Sequence, residues 1–495
     1  MKTSSRQIRL SALFLAFLFV LSLAAACGDT GASKIEEETS SPLSTEATAA
    51  ETEPLDPLEA RALVSDDVPE LDFDGKSFRI FYQKRYTTDA VPFDGQENGE
   101  VLNDAVYRRN RSVEERFNTN IVGIEGEENA MVQTLMNAVT AGEDAYDLFM
   151  GHSLYSGKAA LAGDFRSWYD LNYIDFEKPW FPQHAIKGLT INGRMYMTMS
   201  DMCLSFMANT YCMFFNKQLA ENYGLDDFYQ TVSDGKWTID TLSETARKLY
   251  VDLNGNSAKD AEDQFGFSSD MNNHTTTWLF SCDIPTVEFH DDGTVTSVFN
   301  SERGQILVTK LRSLFKENEG SWCLEGGATE VFENGRILVF SNTLVLAEQR
   351  FRELEFDYGI LPYPKFDEIQ ENYYTIPGGS VSCMAVPMTI TDPDLVGAMT
   401  AALCRESWVS VMPTYYDIVL KVKGTRDETS IEMLDLIMDG RLVNATFLYD
   451  NWNGYAYRVS SLIKSNNDLA SFTAQNDNAV IKHFGDVLAI FYDEG

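Results

Sequence analysis

The sequence predicts an α/β fold of two interleaved lobes, on three observations. From residue 76 to 152 the chain alternates strand and helix patterns at the spacing of a parallel sheet. A second unit starts near Trp168, and strand-like runs return much later, at 337–340 and 356–362. No long linker and no internal repeat follow residue 75, so the lobes share the chain instead of following one another. The boundaries expected are 75–165 plus about 330–390 for one lobe, and 168–325 plus about 395–490 for the other.

The elements follow in order. Lys76-Ser77-Phe78-Arg79-Ile80-Phe81-Tyr82 alternates with period two, as a half-buried strand does. After an acidic, Gly-rich loop at 93–100, Val101, Leu102, Ala105, Val106, Val113 and Phe117 recur at helical spacing. Residues 121–124 read as a second strand, 131–141 as a second helix and 146–150 as a third strand running into Gly151-His152. In the second unit, 211–215 is an apolar aromatic run. Ile239, Leu242, Ala246 and Leu249 mark a helix, with Thr238 placed as its N-cap.

The N-terminus carries an address. Lys2, Arg6 and Arg9 precede an apolar run at 10–23, and small residues lead to Cys27. That order reads as a bacterial export signal over residues 1–26. The run is shorter than the ~20 residues a membrane span needs. Leu23-Ala24-Ala25-Ala26-Cys27 resembles a bacterial lipobox, which implies cleavage before Cys27 and a lipid on its thiol. Residues 27–70 are rich in Glu, Ser, Thr and Ala and predict a disordered acidic tether.

Composition narrows the partners. The net charge is −36, and losing residues 1–26 removes three positive charges more. Nucleic acid and anionic lipid surfaces both require Lys/Arg neutralisation, so neither is expected to bind. The six cysteines beyond Cys27 (Cys203, Cys212, Cys282, Cys323, Cys383 and Cys404) show no close CxxC spacing and sit mostly in apolar runs. They are expected to be mostly buried free thiols, although an exported, even-numbered set also permits bridges.

Several pieces then line up in order. They are Glu115-Arg116-Phe117-Asn118, Tyr146-Asp147-Leu148, Phe214-Phe215-Asn216-Lys217, Gly235-Lys236-Trp237-Thr238, Gly335-Arg336-Ile337-Leu338-Val339-Phe340 and Tyr358-Gly359-Ile360-Leu361-Pro362-Tyr363-Pro364. Pro413-Thr414-Tyr415-Tyr416-Asp417 and Met433-Leu434-Asp435-Leu436-Ile437 extend them. Over roughly residues 75–455 this order resembles the extracellular solute-binding proteins of ABC importers, the maltose-binding-like, sugar-type family. The resemblance implies a two-lobe, periplasmic-binding-protein-like type II fold that closes on its ligand about a hinge. It also implies a monomer without enzymatic activity, lipid-anchored at the outer face of the cell membrane, that delivers a sugar or oligosaccharide to permease subunits. A surface sensor of the same fold is the alternative, and a secreted glycan-active enzyme a more distant one.

Residues 252–263 read D-x-N-x-N-x-x-x-D-x-x-D, the oxygen-ligand pattern of an EF-hand-like loop. Asp252, Asn254, Asn256, Asp260 and Asp263 would supply side-chain oxygens to Ca²⁺, and Ala258 a backbone carbonyl. The loop departs from the pattern twice: Ser257 stands where the sharp turn wants Gly, and Asp263 where the longer Glu is usual. The resemblance makes such a loop structural, apart from the solute site.

Catalytic motifs are weak. G-x-S-x-G, H-E-x-x-H and a complete P-loop do not occur, and the five histidines lack metal spacing. Carboxylate pairs for glycoside hydrolysis exist on paper in any chain with 75 acidic residues, so they carry nothing. Solute contacts are placed by the rule that ligands meet the carboxyl ends of strands in an open α/β sheet. That points to Tyr82, Gln83, His152, Asp201 and Asn342, with Trp278, Trp322 and Trp452 as possible stacking platforms. For each tryptophan a core position is the competing reading.

Overall fold

The computed structural model describes residues 57–84, 93, 95–128, 130–271, 274–323, 326–420 and 428–492. The export signal, Cys27 and the first part of the tether lie outside the described residues. In chain order the strands are β1 (Lys76–Gln83), β2 (Thr119–Gly126), β3 (Leu148–His152), β4 (Phe165–Arg166), β5 (Met197–Thr198) and β6 (Tyr211–Asn216). Then come β7 (Phe265–Ser268), β8 (Val287–Phe289), β9 (Val295–Ser297), β10 (Ile337–Thr343), β11 (Tyr358–Leu361) and β12 (Ser382–Pro387).

Two sheets organise the protein. The first has the order β2-β1-β3-β12-β4, with β5 also on β12. β1 pairs in parallel with β2 and β3, as the strand–helix alternation requires, and β12 enters antiparallel beside β3. The helix Val101–Phe117 makes the first crossover and stops at Asn118, whose left-handed φ of 48° lets its amide return to the Glu114 carbonyl. The second sheet has the order β11-β6-β10-β7. Thr238 caps the helix Ile239–Arg247 by accepting the Thr241 amide at 3.2 Å. β8 and β9 form a separate hairpin.

The lobe boundaries differ from those expected. β10 and β11 pair with β6 and β7 in the second sheet, not with the first lobe. The helix Pro393–Glu406, expected in the second lobe, packs on Val101–Phe117 and β1 of the first. A strand buried on both faces carries no mark of which sheet it will join, so periodicity could not assign these pieces. The docked chain also begins earlier than composition implied. Asp66 pairs with Arg116 at 2.5 Å, and Val68 and Phe73 enter the core, so the tether ends well before residue 70. The cysteines from Cys203 to Cys404 are buried, and none is in a disulfide. Among the described residues no helix is long and apolar enough to cross a membrane.

The chain passes between the sheets more than once. It leaves the first after β5 and enters the second at β6, then returns between β11 and β12. These two crossing segments lie side by side. The Tyr211 amide donates to the Ile376 carbonyl at 3.1 Å, and the Gly378 amide to the Asn209 carbonyl at 2.9 Å. The Thr375 hydroxyl donates to the Tyr211 carbonyl at 2.7 Å. A further connection follows near the C-terminus. The helix Ala445–Leu448 packs on Ser153–Leu161 of the first lobe, and Val459–Lys464 packs on Thr275–Ser281 and Glu302–Arg312 of the second.

Candidate ligand-binding cleft

The crossing segments floor a cleft of about 510 Å³, a size suited to a small molecule. Asn209, Tyr211 and residues 376–380 form the floor. A Cβ at Gly379 would overlap the Tyr457 hydroxyl, so the floor approaches that ring closely there. One wall belongs to the first lobe. His152 ends β3, and the helix Ser153–Leu161 starts directly after it, which turns Leu154 and Tyr155 into the cleft. The His152 ring stacks on Tyr155 at 4.0 Å and 17°, and its Nε2 lies 3.4 Å from Glu128 Oε1.

The opposite wall belongs to the second lobe. Asn342 and Thr343 end β10, and the helix Val345–Gln349 continues the wall with Val345, Leu346 and Gln349. His274 joins from the start of Thr275–Ser281, its ring 5.0 Å from Tyr211. Burial pushes the His274 imidazole down to about 4, against the pull of the Asp270 carboxylate. His274 Nδ1 lies 3.4 Å from both the Asp270 amide and Ser341 Oγ. The C-terminal connection adds Trp452 and Tyr457, with centroids 4.7 Å apart. Aromatic faces and uncharged amides and hydroxyls dominate the lining. Among the described residues Glu128 is its one carboxylate, and no Lys or Arg lines it. Such a surface can stack on C–H faces and exchange hydrogen bonds with hydroxyl groups.

Of the residues expected from sequence, the structure brings His152, Asn342 and Trp452 together at this cleft. The others go elsewhere. Tyr82 and Gln83 do end β1, but they are buried beside a separate cavity of about 20 Å³, too small for a sugar. Gln83 Nε2 donates to the Ser380 carbonyl and Ser382 Oγ, both at 3.0 Å. Asp201 is buried against Arg441 at 2.9 Å. Trp278 is fully buried in the core against Phe315 and Tyr363. Trp322 stacks flat on Phe265 at 5.3 Å. Sequence reasoning missed Glu128, Tyr155, His274, Thr276, Gln349 and Tyr457. The one available signal was Pro377-Gly378-Gly379-Ser380, a small-residue run where chain segments can approach closely.

The acidic loop lies on the surface of the second lobe, away from the cleft. Ser257 adopts a left-handed φ of 61° and Gly255 one of 71°, so the sharp turn forms without glycine at 257. Asp252 accepts the Gly255 and Ser257 amides at 2.7 and 2.9 Å. Buried Asp263 accepts from the Leu253 and Asp260 amides. The side-chain amides of Asn254 and Asn256 donate to Asp260. Among the described residues no three His, Cys, Asp or Glu side chains gather around one point. The donors are hard oxygens of the kind a hard cation takes, and as placed the Asn254 and Asn256 oxygens accept the Asn256 and Ala258 amides.

No family model and no curated protein sequence matches the chain. Solved structures do. The sugar-binding protein MalE from Xanthomonas citri superposes with a TM-score of 0.57 at 12% identity, covering 85% of this chain and all of that one. M. tuberculosis UspC gives 0.55 at 14%, over 82% of this chain and all of that one. A cyclo/maltodextrin-binding protein complexed with maltotetraose gives 0.53 at 14%, over 84% and 97%. The fold is the two-lobe, periplasmic-binding-protein-like type. At such identities the likeness establishes the fold alone, and the cleft chemistry has to be argued from this chain.

Proposed function

We propose that this protein is a solute-binding protein. It takes an uncharged saccharide into the interlobe cleft, closes over it and passes it unchanged to an ABC importer. A lipid on Cys27 holds the monomer at the outer face of the cell membrane. The observation that carries the reading is the cleft itself. Both lobes line it, and paired crossing segments floor it, so hinge bending would close the walls on a ligand. Its aromatic, amide and hydroxyl lining suits sugar rings, and two of the solved proteins of like fold are described as sugar-binding and cyclo/maltodextrin-binding. Binding without chemistry is favoured because a glycosidase needs two opposed carboxylates and Glu128 is the one described here.

Thermal shift against a saccharide panel tests this, followed by solution scattering and mass analysis of the recovered ligand. A cognate sugar should raise the melting temperature, shrink the radius of gyration and return intact. Steady turnover of a glycan, lost on Glu128→Gln, would overturn the reading. The loop at 252–263 is assigned to structural Ca²⁺, held by Asp252, Asn254, Asn256, Asp260, Asp263 and the Ala258 carbonyl. Its hard-oxygen donor set and the left-handed Ser257 support that assignment.

A further inference from the structure

Residues 450–457 belong to the C-terminal connection between the lobes, and they carry Trp452 into the cleft. Ahead of them Ala445–Leu448 packs on the first lobe; near their end, the Ala456 carbonyl accepts the Thr276 hydroxyl of the second at 3.0 Å. Trp452 is 53% exposed, whereas Trp168, Trp180, Trp237 and Trp278 are buried. Asn451 and Trp452 are consecutive left-handed residues, with φ of 43° and 65°. Asn visits that region readily, whereas a bulky residue such as Trp seldom does unless its surroundings enforce it.

Asp450 stands at the base of this loop. It is fully buried, and its Oδ2 accepts the Ala456 amide at 3.1 Å, closing the loop across its base. Its own carbonyl accepts the Asn453 and Gly454 amides at 2.8 and 3.3 Å. Gly454 admits the carboxylate, since a Cβ there would overlap Asp450 Oδ2 and crowd the Phe484 ring. Outside the loop, Arg458 donates to the Trp452 carbonyl at 3.4 Å and to Asn476 Oδ1 at 2.7 Å. The carboxylate thus accepts one amide across the loop, with its Oδ1 buried and unpartnered among the described residues, and such a bond restricts a loop path that side-chain packing alone would leave to fluctuate.

We propose that Asp450 is a positioning residue for the solute: its carboxylate locks the 450–457 loop so that Trp452 stands in the cleft against Tyr457. Cutting the clamp lets Asn451 and Trp452 relax to ordinary backbone angles and turns the ring away. The role in affinity rests on the solute-binding reading; the placement of Trp452 does not.

The test uses the full chain and the variants Asp450→Ala, Asp450→Asn, Trp452→Ala and Asp450→Ala/Trp452→Ala. Acrylamide quenching is measured for each, and the Trp452 contribution is taken by difference against the matching Trp452→Ala protein. The expected result is a changed Trp452 contribution in Asp450→Ala, with Asp450→Asn intermediate because it keeps one accepting oxygen. Asp450→Asn serves in its place if Asp450→Ala does not fold. An unchanged contribution overturns the proposal. Calorimetry with linear malto-oligosaccharides supplies the second arm. Trp452→Ala and Asp450→Ala should each weaken binding about tenfold, and the double variant no further than Trp452→Ala. Additive losses would show that Asp450 acts through another route and overturn its assigned role. If the wild type binds none of these sugars, the solute reading fails for that ligand class, and quenching still decides whether Asp450 holds Trp452.

Discussion

Replacing Arg441 with methionine should destabilise the protein far more than the loss of a surface charge would. Arg441 Nη2 lies 2.9 Å from Asp201 Oδ1, with side-chain exposures of 4% and 3%. Its Nε donates to the Met438 carbonyl at 2.8 Å, and its guanidinium stacks 4.3 Å from the Phe206 ring centre. The pair ties the first crossing segment, which holds Asp201 and Phe206, to the second, because the Leu442 amide donates to the Thr375 carbonyl at 2.7 Å. Methionine roughly preserves the length and apolar stem but leaves the Asp201 carboxylate buried without its cation. Breaking a buried pair by removing one partner costs about 3–5 kcal/mol, whereas replacing both partners with neutral groups is close to neutral. Arg441→Met should therefore lose about 3–5 kcal/mol in urea unfolding, and Asp201→Asn/Arg441→Met should recover most of it. A coupling of at least about 2 kcal/mol should appear in the double-mutant cycle. A loss under about 1 kcal/mol in Arg441→Met, or a double variant as unstable as the two single losses together, would refute the reasoning.

Other outcomes follow from the same chemistry. Expressed in a bacterial host, the protein should take up labelled fatty acid and Cys27→Ala should not; equal labelling would remove the lipid anchor. Calcium should raise the melting temperature more than magnesium does, with stabilisation near 2.7 kcal/mol at ~100 times Kd. An identical response to chelator in Asp252→Ala and wild type would leave the loop as a turn. His274 is held near 4 in the folded state and is near 6.5 when unfolded. The unfolded chain therefore binds the extra proton between those values, and His274 contributes stability above pH 6.5 that is lost as pH falls toward 4. The loss amounts to about 3 kcal/mol. His274→Gln should flatten the stability–pH curve in that window, and parallel curves for the two proteins would count against the burial argument.

What was legible in the sequence is what local pattern encodes. The period-two run at Phe78, Ile80 and Tyr82 and the helical spacing from Val101 to Phe117 report which side chains face inward. They placed β1, the following helix, β2 and β3 within a few residues. Thr238 was legible as a cap because a cap is satisfied within its own turn. His152 and Asn342, chosen by the carboxyl-end rule, line the candidate cleft, since the rule needs only strand ends. Gln83 and Asp201 lie outside that cleft, on partners Ser382 and Arg441 that are hundreds of residues away in sequence. Shorter separations, still far beyond the reach of local pattern, hid the pairing of β10 with β6 and β7 and the early docking of Asp66 on Arg116. Trp278 and Trp452 look alike as residues, but one fills the core and the other stands in the cleft. Periodicity and composition record how strongly a segment seeks burial. Which surface buries it, and which buried charge meets its counter-charge, is decided when distant segments pack together, and that choice belongs to the tertiary structure.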